Sequence, residues 1–242
     1  MAKRYDQFCP VAHGLSMVGE RWALLVVREL LKGPRRYTDL VAGLPGIGTN
    51  VLATRLRELE AGGVVAKRRL PPPAASTVYE LTPYGEGLEE AVHAIARWGA
   101  RSLGPPPEGE PLDPEWGLSA FPALLYPERA RGLTQTTVIA VDDTVFTVRL
   151  DDGRLAVEIG ETDDADLVAR IDLATMFDLA SGDLPPADAV AAGRVQLEAG
   201  DTEALTRFFH VFSYAPRLGA RADEHEPRLG ARVRVEALIP TA

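Results

Sequence analysis

The sequence predicts a protein with two α+β domains in series, and three observations support this fold class. Apolar residues recur at helical spacing through most of the first hundred residues, whereas from about residue 134 they alternate as in strands. A proline-rich stretch, 104–111, lies between the two patterns, and the sign of the net charge changes there. We therefore place the first domain at residues 1–104, a linker at 105–114 and the second domain at 115–242.

The two predicted domains carry opposite charge. Residues 1–104 hold 14 Lys+Arg and 10 Asp+Glu, a net charge of +4, and the remainder holds 12 and 25, a net charge of −13. The total of −9 therefore conceals a basic first domain and an acidic second one. Because an acidic domain repels phosphate, we expect the second domain to lie away from any nucleic acid.

The composition is that of a folded protein. A chain of 242 residues with 46% hydrophobic content can form two cores. No apolar run approaches the roughly 18 residues that span a bilayer, and the charged start leads into no signal-peptide core. The single cysteine excludes an intramolecular disulfide, which agrees with a reducing compartment. We expect a cytoplasmic protein without a membrane span.

Residues 49–62 predict an amphipathic helix with Thr49 as its N-cap and Gly62 at its end. The buried stripe, at i, i+4 and i+7, consists of Leu52, Leu56 and Leu59. The opposite face consists of Asn50, Ala53, Thr54 and Arg57. Side chains on that face point where they can meet base edges in a major groove.

A basic two-stranded ribbon is predicted after this helix. Residues 64–70, which include Lys67-Arg68-Arg69, read as a strand, and the return strand runs from Thr77 to Leu81. Taken singly, a polar helix face or a basic strand is usually solvated surface. A preceding short helix, Tyr37 to Ala42, and a glycine-containing turn complete the helix-turn-helix-wing order that binds duplex DNA. The candidate DNA-contacting residues are Arg35, Arg36, Thr49, Asn50, Ala53, Thr54, Arg57, Lys67, Arg68, Arg69 and Thr77.

Short motifs run through the first domain: Cys9-Pro10-Val11, Gly19-Glu20-Arg21-Trp22, Gly33-Pro34-Arg35-Arg36-Tyr37, Leu44-Pro45-Gly46-Ile47 and Tyr79-Glu80-Leu81-Thr82. With them, residues 8–102 resemble the HxlR family of bacterial winged-helix regulators. The resemblance implies a homodimeric transcription factor with helix 49–62 in the major groove of double-stranded DNA. It also implies that a helix predicted from Glu86 to Leu103 pairs with the first helix across a two-fold axis.

The second domain is predicted to begin with a helix around residues 121–126 and a three-stranded meander over 134–141, 144–150 and 155–159. Asp142-Asp143 and Asp152-Gly153 are its turns. A strand at 167–171, a helix at 173–180, a short element at 186–190, a strand at 195–198 and a helix after Asp201 follow. The end of the chain, 232–238, alternates like a further strand.

This order, together with Leu179-Ala180-Ser181-Gly182 and Gly193-Arg194-Val195, resembles the sterol carrier protein type 2-like domain over residues 116–213. The resemblance implies a hydrophobic tunnel for a fatty-acyl or sterol-like molecule. The candidate lining residues are Phe121, Leu125, Met176, Phe177, Leu205, Phe208, Phe209 and Phe212. Their helical spacing is also that of an ordinary core, and the residues alone favour that alternative.

We find no catalytic constellation, metal site or cofactor motif in the sequence. The four histidines are far apart and none has metal-ligand or triad spacing. Cys9 precedes Pro10 at a predicted helix start, where the helix dipole stabilises a thiolate, and some members of the resembled family sense oxidants near this position. A packed thiol is the alternative, because no resolving cysteine exists.

The sequence therefore predicts a DNA-binding transcriptional regulator, not an enzyme, whose second domain binds a hydrophobic effector or stabilises the dimer. Two alternatives remain. One is a lipid-binding or lipid-transfer protein with a vestigial DNA-binding domain, and the other treats the acidic domain purely as an interaction module.

Overall fold

A computed structural model describes residues 5–71, 75–104 and 114–213 of the chain. The helices of the first domain are α1 (Pro10–Val18), α2 (Ala23–Leu31), α3 (Tyr37–Ala42), α4 (Thr49–Ala61), α5 (Pro83–Glu86) and α6 (Glu89–Ala100). Its strands are β1 (Arg35–Arg36), β2 (Val65–Arg69) and β3 (Thr77–Leu81). They form an antiparallel sheet in the order β1-β3-β2. The predicted winged helix-turn-helix is confirmed.

The leucine stripe of α4 is the centre of the first core. Leu52, Leu56 and Leu59 are buried and cluster with Val26 and Val27 of α2. Because these leucines recur at i, i+4 and i+7, burying them leaves the opposite side of α4 at the surface. The stripe therefore determines which face of α4 is available to a partner.

Two predicted helix boundaries in the first domain are wrong. Thr49 is the first residue of α4 and not its N-cap, because the Gly48 carbonyl already accepts from the Val51 and Leu52 amides at 2.9 and 3.0 Å. The helix predicted over 86–103 is divided into α5 and α6. Thr82 caps α5 by accepting the Gly85 amide at 3.0 Å. The chain turns at Gly87 so that Leu88 packs on the core before α6 begins.

The helices of the second domain are α7 (Pro114–Leu124), α8 (Leu173–Ser181), α9 (Pro186–Ala191) and α10 (Thr202–Val211). Its strands are β4 (Thr134–Val141), β5 (Thr144–Asp151), β6 (Arg154–Ile159), β7 (Leu167–Ile171) and β8 (Gln196–Ala199). They form one sheet in the order β6-β5-β4-β7-β8, in which only β4 and β7 are parallel neighbours. The α+β class is confirmed.

The meander turns follow from backbone conformation. Asp142 and Asp152 adopt φ values of 50° and 46°, and Gly153 adopts 83°, a left-handed region that Asp tolerates and Gly occupies freely. The aspartates therefore make turns between strands. The predicted strand 195–198 begins one residue later. Residues 105–113 of the predicted linker and the predicted terminal strand 232–238 lie outside the described residues, whereas Pro114, predicted as linker, is the first residue of α7.

The domains contact each other through α6 and α7. The Arg97 side chain on α6 donates a hydrogen bond from Nη1 to the Ala123 carbonyl near the end of α7, at 3.1 Å. The helix α7 also packs against β6, and its Phe121 side chain is buried in the core of the second domain. The helix α7 is therefore shared between the two domains. Among the described residues, no helix is long and apolar enough to cross a membrane.

Candidate nucleic-acid interface

The outward face of α4 is polar along its length. Asn50 and Arg57 are exposed, and Ala53 and Thr54 are half-buried between them. Arg57 folds back along its own helix, donating from Nε to the Ala53 carbonyl at 3.3 Å and from Nη2 to the Thr54 hydroxyl at 3.2 Å. These bonds restrict the rotamers of the guanidinium, so less entropy is lost when it meets a partner.

The start of α4 is fixed from α3. The Tyr37 hydroxyl donates to the Thr49 carbonyl at 2.6 Å, which joins the two helices across the predicted turn. Arg36 opens α3, where its amide donates to Asp39 Oδ2 at 3.0 Å. In β1, Arg35 and Arg36 pair with β3. The candidate arginines before α3 therefore lie along β3, opposite Tyr79 and Val78 and on the side of β3 away from β2.

The ribbon, β2 with β3, carries three successive exposed cations, but they are not equivalent. Lys67 lies over the Tyr79 ring, 5.8 Å from its centroid. Arg68 instead donates from Nε and Nη2 to the Glu80 carboxylate, at 2.9 and 2.7 Å. This hydrogen bond lowers the pKa of Glu80 below that of an ordinary carboxyl group. Arg69 lies opposite exposed Thr77 in the register.

Two buried ion pairs that the motifs did not predict hold the interface in place. Glu29 on α2 is 2% exposed and accepts from Arg28 at 2.7 Å and from Lys32 at 2.9 Å. Arg28 also reaches the Gly43 carbonyl at the end of α3, at 3.4 Å. Burying a glutamate is costly unless it is paired, so the two cations are required together. The only sequence signal was a glutamate between two cations on an apolar helix.

Arg55 performs a similar role on α4. It pairs with Glu58 one turn away and lies 3.8 Å from Glu20, which precedes α2. Since Arg55 is largely buried beside these carboxylates, it joins α4 to the segment between α1 and α2. It is thus a supporting residue and not part of the exposed face.

The two domains of the chain match two different protein families. Residues 17–106 match the model of the HxlR-like helix-turn-helix family, and residues 120–213 match the SCP-2 sterol transfer family. YvaP of Bacillus subtilis, an uncharacterised HTH-type transcriptional regulator, is 32% identical over 101 residues, which are 41% of this chain and 94% of YvaP. The chain belongs to the HxlR-like helix-turn-helix family.

Two further relatives are also HTH-type transcriptional regulators. A regulator of Synechocystis is 35% identical over 92 residues, covering 38% of this chain and 68% of that protein. YodB of B. subtilis, an HTH-type transcriptional regulator, is 31% identical over 94 residues, covering 38% and 84%. This HxlR-like protein is therefore a transcriptional regulator that carries an additional SCP2 domain. Neither matching family model is catalytic.

In the SCP2 domain of this HxlR-like chain, the candidate ligand-lining residues pack on one another. Phe121 makes edge-to-face contacts with Phe146 and Phe212, with ring centroids 5.6 and 5.4 Å apart. Leu205 and Phe208 are fully buried beside them. Leu125 and Phe209 are buried in the same cluster, and Met176 packs on its edge. Phe177 is buried on α8. The described conformation is that of a closed core.

The remaining candidate is Cys9, which is half-buried at the N-cap position of α1. No group of three histidine, cysteine, aspartate or glutamate side chains that could hold a metal occurs in the part of the chain that was described. The candidate interface of this HxlR-like protein consists of α4, β1 and the ribbon.

Proposed function

We propose that the protein is a homodimeric transcriptional regulator that inserts α4 into the major groove of a pseudo-palindromic operator. The observation that supports this most is the exposed polar face of α4 with the basic ribbon beside it. The groove admits one α-helix, and the ribbon follows the phosphates alongside. A vestigial domain in a lipid-transfer protein would have no need of the ordered Arg57 or of the Tyr37 bond that fixes α4.

Within this proposal the interface residues divide into two groups. Asn50, Thr54 and Arg57 contact base edges, with Ala53 allowing close approach. The remaining candidates contact phosphate: Arg35, Arg36, Thr49, Lys67, Arg68, Arg69 and Thr77. Phosphate contacts contribute affinity to every sequence, whereas base contacts contribute preference.

The test is selection of bound duplexes from a random pool, followed by titration of the preferred site. We expect Arg57→Ala to lower affinity for that site by about 1–3 kcal/mol and to relax preference at one position in each half-site. Arg207→Ala removes an exposed arginine from α10 in the second domain and is the matched control. Unchanged preference in Arg57→Ala, or no selected sequence at all, would contradict the proposal.

Dimerisation is supported by apolar side chains that the described chain leaves at the surface. Val11 and Leu15 on α1 are exposed, as are Ile95 and Trp98 on α6. An exposed stripe of this kind marks an interaction surface. The same two helices are those that the family resemblance pairs across the two-fold axis.

We also propose that a fatty-acyl or sterol-like ligand of the SCP2 domain controls operator affinity. Because the candidate aromatic residues are packed together, a ligand that enters there has to separate the rings around Phe121 and Phe208. Linkage requires that operator DNA change the ligand's affinity by the same factor by which the ligand changes operator affinity. Calorimetric titration of such a ligand with and without the selected duplex measures that factor, and equal affinities would contradict ligand control.

A further inference from the structure

A cavity of about 640 Å³ lies between the two domains. Its walls are α2 and α6 of the first domain and α7 and β6 of the second. We propose that it is an effector site for an uncharged, largely apolar small molecule that carries one hydroxyl or carbonyl group. This inference rests on the proposed regulatory function and gives it a ligand site separate from the aromatic cluster.

The size and lining of the cavity are those of a small-molecule site. Ligand pockets typically enclose about 300–1,000 Å³ and are mostly apolar. Here 13 of the 18 lining residues are alanine, glycine, leucine, valine or proline. The apolar wall is contributed by both domains, for example Val92 on α6, Leu118 on α7 and Val157 on β6. Burial of an apolar molecule against a lining of this composition lowers the free energy, because apolar surface is removed from water.

The polar residues of the lining argue for an uncharged ligand. Arg28 and Lys32 are already paired with the buried Glu29. Burial lowers the pKa of His93, which leaves its imidazole neutral at pH 7. Ser119 Oγ is buried and has no hydrogen-bond partner among the described residues. The fifth polar lining residue, Glu89, is exposed to solvent. The cavity wall therefore contains one unsatisfied hydroxyl, which a change of the Ser119 rotamer would bring to a ligand, and no unpaired buried charge, a match for a single hydroxyl or carbonyl group.

The position of the cavity connects it to both proposed activities of the first domain. The helix α2 faces the cavity with Leu31, whereas Val26 and Val27 on its other side pack in the core with α4. The helix α6 faces the cavity with Val92 and Gly99, and its opposite side exposes Trp98. A ligand in the cavity therefore touches the two helices that support α4 and the proposed dimer surface.

A variant that fills the cavity provides the test. Gly99 lines the cavity, and a Cβ added there meets no atom within 4 Å, so Gly99→Leu places its side chain in open space. The probe is N-phenyl-1-naphthylamine, an uncharged fluorophore that brightens in apolar surroundings. We expect saturable binding to the full-length protein and an affinity lower by about tenfold or more in Gly99→Leu. Ala191→Leu adds a leucine at an exposed position of α9, outside the cavity, and is the control.

Competition identifies the class of ligand. We expect 1-dodecanol to displace the probe more strongly than laurate or dodecylammonium at pH 7.5. Ser119→Ala should weaken 1-dodecanol by about fivefold while the affinity of the probe is retained. Equal displacement by laurate overturns the uncharged class. Undiminished probe binding in Gly99→Leu, or absence of binding to the wild type, overturns the site.

These titrations contain no DNA, so they are independent of the test of DNA binding. Loss of the proposed function would appear as failure to select a duplex, whatever the probe does. Loss of the effector site would appear as an unaffected Gly99→Leu, whatever the duplex selection yields.

Discussion

Arg68 and Glu80 illustrate how one neighbouring side chain changes what a basic run offers to DNA. The sequence shows Lys67-Arg68-Arg69 as three equal cations, but in the antiparallel register Arg68 lies diagonal to Glu80. Their bidentate ion pair must open before Arg68 can reach a phosphate. Lys67 and Arg69 therefore carry the proposed phosphate contacts of the ribbon more directly than Arg68 does.

Glu80→Gln tests this difference. Without the carboxylate, we expect Arg68 to add one phosphate contact, so the slope of log K against log salt becomes steeper by about 0.9. The measurement is DNA titration at several salt concentrations. Glu161→Gln, which removes an exposed glutamate from the second domain, makes the same change in net charge and should leave the slope as it is. A slope that does not respond to Glu80→Gln would contradict a phosphate role for Arg68.

His93 gives the molecule a predictable response to acid. Burial lowers the pKa of His93, with Arg97 adding to the shift and Glu89 opposing it. The unfolded chain therefore binds a proton at His93 more readily than the folded chain does. The contribution of neutral His93 to stability is fully present above its ordinary pKa of 6.5 and is lost as the pH falls below that value. We expect His93→Leu to reduce the loss of Tm between pH 7.5 and 5.5. The exposed His13 in a His13→Leu variant is the control, and an unchanged pH profile in His93→Leu would contradict the assignment.

At the scale of single elements, the glycines of α5 and α6 differ in what surrounds them. Gly85 in α5 lies close to Val64, the residue before β2, and a Cβ added to Gly85 would lie 2.1 Å from the Val64 carbonyl oxygen. Gly99 in α6 faces open space. A close approach between backbones requires the residue without a side chain, whereas a helix-interior glycine beside a cavity only adds flexibility.

The pair Gly85→Ala and Gly99→Ala separates these roles. We expect Gly85→Ala to destabilise the protein by about 1–3 kcal/mol, because backbone must shift to admit the methyl group. Gly99→Ala should stabilise it by about 0.5–1 kcal/mol, because alanine restricts the unfolded chain and favours the helix. Denaturant unfolding of both variants measures the signs. Two variants that change stability in the same direction would show that the described packing around α5 is incorrect.

At the scale of the whole molecule, α6 is used on two sides. One side meets α7 and the cavity, and the other exposes Trp98, whose surface is 73% accessible. Large exposed aromatic residues are the usual energetic centres of protein interfaces. The α6 helix therefore links the proposed dimer to the contact between domains.

We expect Trp98→Glu to convert the dimer to a monomer at concentrations where the wild type remains dimeric, because an unpaired charge at an interface is costly. Native mass spectrometry measures the change and also reports any small molecule that co-purifies. Ile159→Glu places the same charge on another exposed apolar residue, at the edge strand β6, and should leave the mass unchanged. A dimer that persists in Trp98→Glu would show that α6 does not form the dimer interface.

Sequence pattern was sufficient for the elements whose period is uninterrupted. The stripe of Leu52, Leu56 and Leu59 predicted α4, and strict alternation with Asp142 and Gly153 turns predicted the meander. Apolar periodicity predicted one continuous helix through Leu88, and this prediction was wrong because the apolar spacing continues across the break between α5 and α6. Apolar periodicity records which side is buried but not whether the backbone hydrogen bonds continue.

The sequence by itself determined the family, the order of the two α+β domains and the polar face of α4, because these follow from local period, turn residues and short motifs. Only the tertiary structure decided that Arg68 is paired with Glu80, that Glu29 is buried between Arg28 and Lys32, and that Phe121 closes against Phe212. It also decided that a cavity opens where α6 meets α7 and β6. These features join residues that are remote along the chain or depend on strand register and burial, and such contacts form only when packed elements bring the side chains together.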